Sequence, residues 1–181
     1  MQYALLGWPP DGPTFRLDYR RFSYAGKFVM SATGKAVVRE GEDDEIVAAV
    51  AFNEDRTDAD TLWLRYITVR EDHRGDGIGP RLARFAAEHA RDRDYDRIQI
   101  AVNNPFAFEA LSKAGFAFTG EETGIAELVM VWPGERTRES YQAGLDVYRE
   151  RDLSETEREF LREREDGDPP ETIRSVPAGD G

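Results

Sequence analysis

The sequence predicts a mixed α/β domain. Two apolar runs, Lys35–Arg39 and Ile46–Phe52, are joined by the polar Glu40-Gly-Glu-Asp-Asp-Glu45 and read as a hairpin. After them, apolar strands alternate with stretches of helical periodicity as far as Trp132. The length, 181 residues, fits one domain with an appendage and suffices to bury a core. A mixed sheet with helices packed on it is the architecture these patterns predict.

Each element has its own signal. Met1–Gly7 and Thr14–Tyr19 read as short strands around the turn-rich Trp8-Pro-Pro-Asp-Gly-Pro13. Arg20–Met30 is ambiguous and can be helical. Ile46–Phe52 is nearly all apolar, as a strand buried on both faces would be. Asn53–Thr61 is a polar loop and Leu62–Val69 a strand. Ile78–Arg91 places Leu82, Phe85, Ala86 and Ala90 on one helical face. Arg97–Val102 alternates Ile98, Ile100 and Val102 as a strand does. Asn104–Gly115 reads as a helix, with Asn104 as cap, Pro105 in the first turn and Gly115 at the stop. Glu127–Trp132 is the last strand.

Beyond residue 132 the composition changes. Residues 133–167 are highly charged, with a helix over Thr137–Asp152 that aligns Tyr141, Leu145 and Tyr148. A second helix starts at the capping box Ser154-Glu-Thr-Glu157 and runs to about Glu165. These read as a helical hairpin lying on the domain by a thin apolar stripe, or as a dimer contact or a lid. Residues 168–181 read as a disordered tail, polar and rich in Pro and Gly. Residues 1–132 form the expected domain.

Charge and cysteine content exclude several classes. Lys+Arg is 24 against 36 Asp+Glu, a net charge of −12, which argues against a nucleic-acid partner. No apolar run approaches a membrane span, and the N-terminus lacks the pattern of a secretory signal, so a cytoplasmic protein with no membrane partner is expected. With 0 Cys and 2 His, neither a disulfide framework nor a metal site is expected. Only Lys27, Lys35 and Lys113 are lysines. Acid excess with so few lysines resembles proteins of salt-adapted cytoplasm, where screening relieves carboxylate repulsion.

The most informative segment is Leu62–Arg91, in which a strand runs into Arg74-Gly-Asp-Gly-Ile-Gly79 and then a helix. Glycines permit positive φ and close backbone approach. The free N–H groups of the helix start, with its dipole and the fixed charge of Arg74, make an anion site suited to phosphate or pyrophosphate. Two rival motifs fail. The dinucleotide fingerprint G-x-G-x-x-G needs glycine where Pro80 stands, and no Gly-Lys-Ser/Thr follows any strand.

At these residues the sequence resembles the GNAT superfamily of N-acetyltransferases. Arg74-Gly-Asp-Gly-Ile-Gly79 matches the family pattern [Q/R]-x-x-G-x-[G/A], and Ile67-Thr-Val-Arg-Glu-Asp-His-Arg74 has the family spacing from strand end to motif. Asn104-Pro-Phe-Ala107 through Lys113-Ala-Gly115-Phe116 matches a second family stretch, N-x-x-A-x-x-x-Y-x-K-x-G-F, except at the tyrosine. The resemblance covers roughly residues 62–118. It implies a central, mostly antiparallel mixed sheet flanked by helices, here with a C-terminal helical extension, and acetyl-CoA as co-substrate without a metal. By that analogy the backbone of Ile67, Thr68 and Val69 pairs with the pantetheine arm, while Gly75, Asp76, Gly77, Ile78, Gly79 and Pro80 cradle the pyrophosphate beside Arg74. Pro80, without an N–H, supplies shape only. Asn104 would sit beside the cofactor, a role compatible with that of a plain helix cap.

The chemistry implied is direct attack of an amine on the thioester, which needs a base, oxyanion donors and an acid for the leaving thiolate. Backbone N–H groups near Val69 would serve the oxyanion. The acid is missing, because Leu111 stands where the family usually has tyrosine. Ser112 is adjacent, a poor acid more at home on a helix surface. Gln99 stands where some family members carry a glutamate base, and Tyr66 could line the acceptor cleft or simply pack. Glu109, Glu121 and Glu122 qualify by chemistry alone, each with a surface carboxylate as the plainer role. The acceptor would be an amine on a small molecule, peptide or protein, and a homodimer is possible. The alternative to the enzyme is a non-catalytic acyl-CoA-binding module or sensor in which Leu111 marks lost chemistry.

Overall fold

The computed structural model describes residues 1–174 and residue 176. These residues form a chain with seven mostly antiparallel strands and four α-helices, which is the mixed α/β class the sequence predicts. It divides into two compact units, Met1–Ile98 and Gln99–Ile173. The division falls within a strand, whereas the change in charge density falls after residue 132.

In the first unit β1 (Gln2–Gly7), β2 (Gly34–Glu40), β3 (Glu45–Glu54) and β4 (Thr61–Val69) pair in sequence order, all antiparallel. Helix α1 (Ile78–Asp92) covers one face. Its ring Phe85 lies 5.8 Å from Tyr3, which pairs with Val38. Leu82, Phe85, Ala86 and Ala90, the expected face, are all buried. On the opposite face Phe28 packs with Val37, Ala49 and Ala51, joined by Phe15, Leu17 and Tyr66. With both faces covered, Val47 through Phe52 have no exposed surface, which is why that run reads as continuously apolar.

Two early expectations are corrected. Thr14–Tyr19 forms no strand. Phe15 and Leu17 alternate because they bury against the sheet face, and the Phe15 N–H bonds to Phe28 O at 3.1 Å instead of joining a ladder. Arg20–Met30 contains only a short 3-10 turn, Ala25–Val29, entered through Tyr24 in left-handed conformation at φ 59°.

The second unit continues β5 (Arg97–Val102) and adds α2 (Pro105–Lys113), β6 (Ala117–Glu122), β7 (Leu128–Trp132), α3 (Arg138–Arg149) and α4 (Glu155–Arg162), with strand order β5-β7-β6. The punctuation of α2 holds: Asn104 Oδ1 accepts the Ala107 N–H at 2.8 Å, and Gly115 turns the chain at φ 99°. Strand β6 has no counterpart among the predicted elements. The stripe of α3 is buried at Tyr141, Leu145 and Tyr148, with Gly144 between them against Phe108 of α2. Helix α4 keeps its capping box and buries Leu161. Beyond it, Asp168 pairs with Arg138 at 2.8 Å, Pro170 O accepts from Arg136, and the Ile173 N–H bonds to Lys113 O at 2.8 Å. Of the expected tail, residues 175 and 177–181 lie outside the described residues.

Candidate functional site

The end of β4 is bent before it reaches the glycine turn. Ala51 pairs with Tyr66 and Phe52 with Leu64, which leaves Arg65 as an extra residue in a bulge. A bulge twists its strand and re-aims the residues beyond it, here Ile67, Thr68 and Val69. Thr68 lies opposite Ala49 and so shares the Phe28 face with Tyr66. Its hydroxyl is buried, at 4 % exposure for the residue, and has no hydrogen-bond partner. A buried polar atom left unpaired is costly and calls for an explanation.

After Val69 the chain passes through Arg74 and Gly75 to Gly77, the N-cap of α1. Gly75 and Gly77 take φ 89° and 78°. No side chain caps the helix and no acid stands in its first turn. Pro80 has no N–H and the Arg81 N–H reaches Gly77 O, so the amides of Ile78 and Gly79 remain available. A Cβ on Gly75 would meet only open space, and one on Gly79 would touch Val69 Cγ2 at 3.5 Å. Two left-handed glycines, an uncapped helix start and open space above the turn fit a diphosphate. Arg74 is held in place: its Nε donates to Val69 O and its Nη2 to Ser23 Oγ, each at 3.2 Å.

A charge network fixes the approach to this turn. Arg70, almost buried, donates to Asp72 through Nε at 2.7 Å and Nη2 at 3.1 Å, and pairs with Glu45 at 3.0 Å. Arg21 also reaches Asp72, at 3.1 Å, and its carbonyl accepts the Glu71 N–H. His73 lies between Asp72 and Glu40, at 3.0 and 2.7 Å. The Arg70 and His73 hydrogen bonds hold the Asp72 carboxyl far below the usual carboxylate range. Asp72, then Glu40, raises His73 above its ordinary value.

The signs set a testable pH dependence. A raised histidine contributes stability that is fully present below its unfolded value of 6.5 and is lost as pH rises through the folded value. Asp72 works in the opposite sense, and its contribution disappears only in strong acid. From pH 6 to 9 the stability measured by urea unfolding should therefore fall, by about 1 kcal/mol or less given exposed partners. His73→Gln should flatten that slope, and parallel slopes for the two proteins would rule out the coupling.

The other predicted residues divide between the two units. Tyr66 is half-buried, 5.7 Å from the ring of Tyr24. Asn104 acts as helix cap. Leu111 is buried at 5 % exposure. Ser112 is not a helix-surface residue: it is buried at 3 %, 3.5 Å from Arg136, because α2 packs that side inward. Glu109 is also buried, accepting from the Tyr141 hydroxyl and pairing with Arg164 at 3.4 Å, so it is committed to a structural contact. Burial, then the Glu109 carboxylate, raises the Tyr141 hydroxyl far above its usual range. Glu121 and Glu122 are exposed. Ser23 and Arg21 escaped sequence reasoning, because their partners lie about fifty positions away. A cavity of about 430 Å³ in the second unit is lined by Arg149, Leu153, Arg158 and Leu161 among others, none a predicted site residue. Among the described residues no group of His, Cys, Asp or Glu could hold a metal ion, and no helix is long and apolar enough to cross a membrane.

No curated protein sequence matches the chain. Among solved structures, an acetyltransferase of Bacillus subtilis in complex with CoA is 16 % identical with a TM-score of 0.54, over 72 % of this chain and 96 % of that one. Nourseothricin acetyltransferase is 25 % identical with a TM-score of 0.47, over 55 % of this chain and 64 % of that one, so this chain spans less than two thirds of that relative. A Bacillus anthracis protein described as a streptothricin acetyltransferase, in complex with acetyl coenzyme A, is 20 % identical with a TM-score of 0.46, over 55 % of this chain and 60 % of that one. The model of the acetyltransferase (GNAT) family matches residues 5–116, well over half of the sequence and inclusive of β4, the glycine turn and α1. The chain belongs to the GNAT acetyltransferase family.

Proposed function

We propose that the protein transfers the acetyl group of acetyl-CoA to the nitrogen of an amine. The observation that carries this reading is the left-handed glycine turn that delivers an uncapped α1 directly after the bulged end of β4. Gly75 to Gly79 would hold the diphosphate through their amides, with Arg74 adding a fixed charge. Ile67, Thr68 and Val69 would lie along the pantetheine arm. The co-substrate supplies an activated acyl group: the amine nitrogen bonds to the thioester carbon, the C–S bond breaks, and the amine's proton ends on the thiolate. No side chain is assigned the role of the acid, since Leu111 occupies the usual tyrosine position. Positioning and oxyanion stabilisation carry a large share of such barriers, whereas proton-transfer groups contribute about 10²–10⁴-fold.

The test is release of free thiol from acetyl-CoA with a panel of amines in high salt. With 0 Cys in the chain the protein adds no thiol background. Amine-dependent release supports transfer. Leu111 favours the second reading, a non-catalytic acyl-CoA-binding module, for which tight acetyl-CoA binding without release on any amine is the signature. Absence of acetyl-CoA binding would sink both.

A further inference from the structure

The segment before β2 is unlike the rest of the chain. Residues 13–30 carry Arg16, Arg20, Arg21 and Lys27 against Asp18 alone, a net charge of +3 in a protein of net −12. The same stretch exposes large apolar side chains: Tyr19 at 79 %, Tyr24 at 56 %, Val29 and Met30. A patch both basic and apolar on an acidic surface points to a bound molecule of opposite charge with an apolar body.

The patch adjoins the glycine turn within the first unit. Arg74 links Ser23 to the end of β4, and the Arg21 carbonyl accepts the Glu71 N–H at 2.9 Å. Tyr24 therefore directly follows Ser23, a residue tied to the site, and Lys27 comes four positions after it. Tyr24 is held at φ 59°, a conformation unfavourable for an aromatic residue. In it, its ring lies 5.7 Å from Tyr66, which shares its sheet face with the unpartnered Thr68 hydroxyl.

The charges of the patch are unequally engaged. Arg20 pairs with Asp18, and Arg21 with Asp72 and Glu45. Lys27 forms no ion pair among the described residues, and its ammonium stands 5.2 Å from the Tyr66 ring centroid. An exposed ammonium over an aromatic face offers a carboxylate a charged donor next to an apolar surface.

We propose that the acceptor is an amine that also carries a carboxylate and an apolar side chain, of the amino-acid class, with Lys27 binding the carboxylate and Tyr24 and Tyr66 the apolar body. This rests on the transfer reading above. The test uses matched acceptors, tyrosine against tyramine and leucine against isoamylamine, with the parent protein, Lys27→Gln and Lys27→Arg. The carboxylated member should be preferred by about tenfold or more in kcat/KM. Lys27→Gln should bring the preference to within about twofold, and Lys27→Arg should retain most of it. Equal use of the two members, preference for tyramine, or an unchanged preference in Lys27→Gln would overturn the proposal.

A second measurement separates this proposal from the transfer reading. N-acetyltyrosine and N-acetyltyramine are titrated into each variant in the presence of CoA, which needs no turnover. Tighter binding of N-acetyltyrosine, lost by about tenfold in Lys27→Gln, supports the lysine assignment even if no amine is acetylated. Indifference to the carboxylate, or no binding of either compound, refutes it.

Discussion

Gly77→Val should weaken acetyl-CoA binding at least about thirtyfold while the protein stays folded. Gly77 sits at φ 78° and ψ 14° as the N-cap of α1. An L-residue in this region costs about 1–2 kcal/mol, and a β-branched one more. Space is not the obstacle, because the nearest atom to a Cβ there is Arg81 Nη1 at 3.6 Å. The substituted turn would relieve its strain by rotating out of the left-handed region, and this swings the Ile78 and Gly79 amides off their common direction. A loss of about 2 kcal/mol in binding corresponds to the thirtyfold change. Gly120→Val is the control. Gly120 has φ 87° and open surroundings, so it carries similar strain, but it lies in β6. Titration calorimetry should show the Gly120 variant binding like the parent. Unchanged affinity in Gly77→Val would remove the diphosphate assignment.

Gly144→Ala should destabilise the second unit by about 2 kcal/mol, although alanine is the better helix former. Propensity alone favours the substitution by up to about 1 kcal/mol. A Cβ at 144, however, would stand 2.2 Å from Phe108 Cζ and 2.4 Å from its Cε2. That ring cannot simply move aside, for Phe118, Tyr141 and Tyr148 surround it at 6.0–6.2 Å between centroids. Overpacking of a closed core costs about 1–3 kcal/mol and more when the neighbours are pinned. A melting temperature lower by about 4–8 °C is the expected reading. Adding Phe108→Leu should recover part of the loss, since the two positions touch and their effects are not additive. A Gly144→Ala protein as stable as its parent would show that α3 is not clamped there.

How much the sequence disclosed depends on the range of each signal. Helix α1, helix α2 and the turn before α1 were legible because their information is local: a periodic apolar face, Asn104 three residues before the amide it caps, glycines at the positions that need positive φ. Thr14–Tyr19 misled because two apolar residues at alternate positions look alike whether they lie in a ladder or against a sheet face. Strand β6 was illegible for a related reason. Gly120 breaks its pairing, so that Phe118 lies opposite Met130 but Glu122 opposite Leu128, and no alternation survives in Ala117-Phe-Thr-Gly-Glu-Glu122. The clamp on Arg70–Arg74 draws on Arg21, Glu40 and Glu45, and the seat of Gly144 on Phe108. These contacts span 25 to more than 50 positions and leave no mark in a sequence window. The same holds for Ser112, whose burial is decided by what packs on α2.

The uncapped start of α1 also has a spectroscopic consequence. A side-chain cap would occupy one of the first-turn amides and slow its exchange whether or not a ligand is present. Here the amide protons of Ile78 and Gly79 have no acceptor from the cap residue, so in the free protein they should exchange with solvent deuterium nearly as fast as in an open loop. A diphosphate seated on the turn would become their acceptor and slow that exchange. The lifetime of the two amide protons in heavy water thus serves as a built-in gauge of occupancy, readable without a label or an assay of turnover.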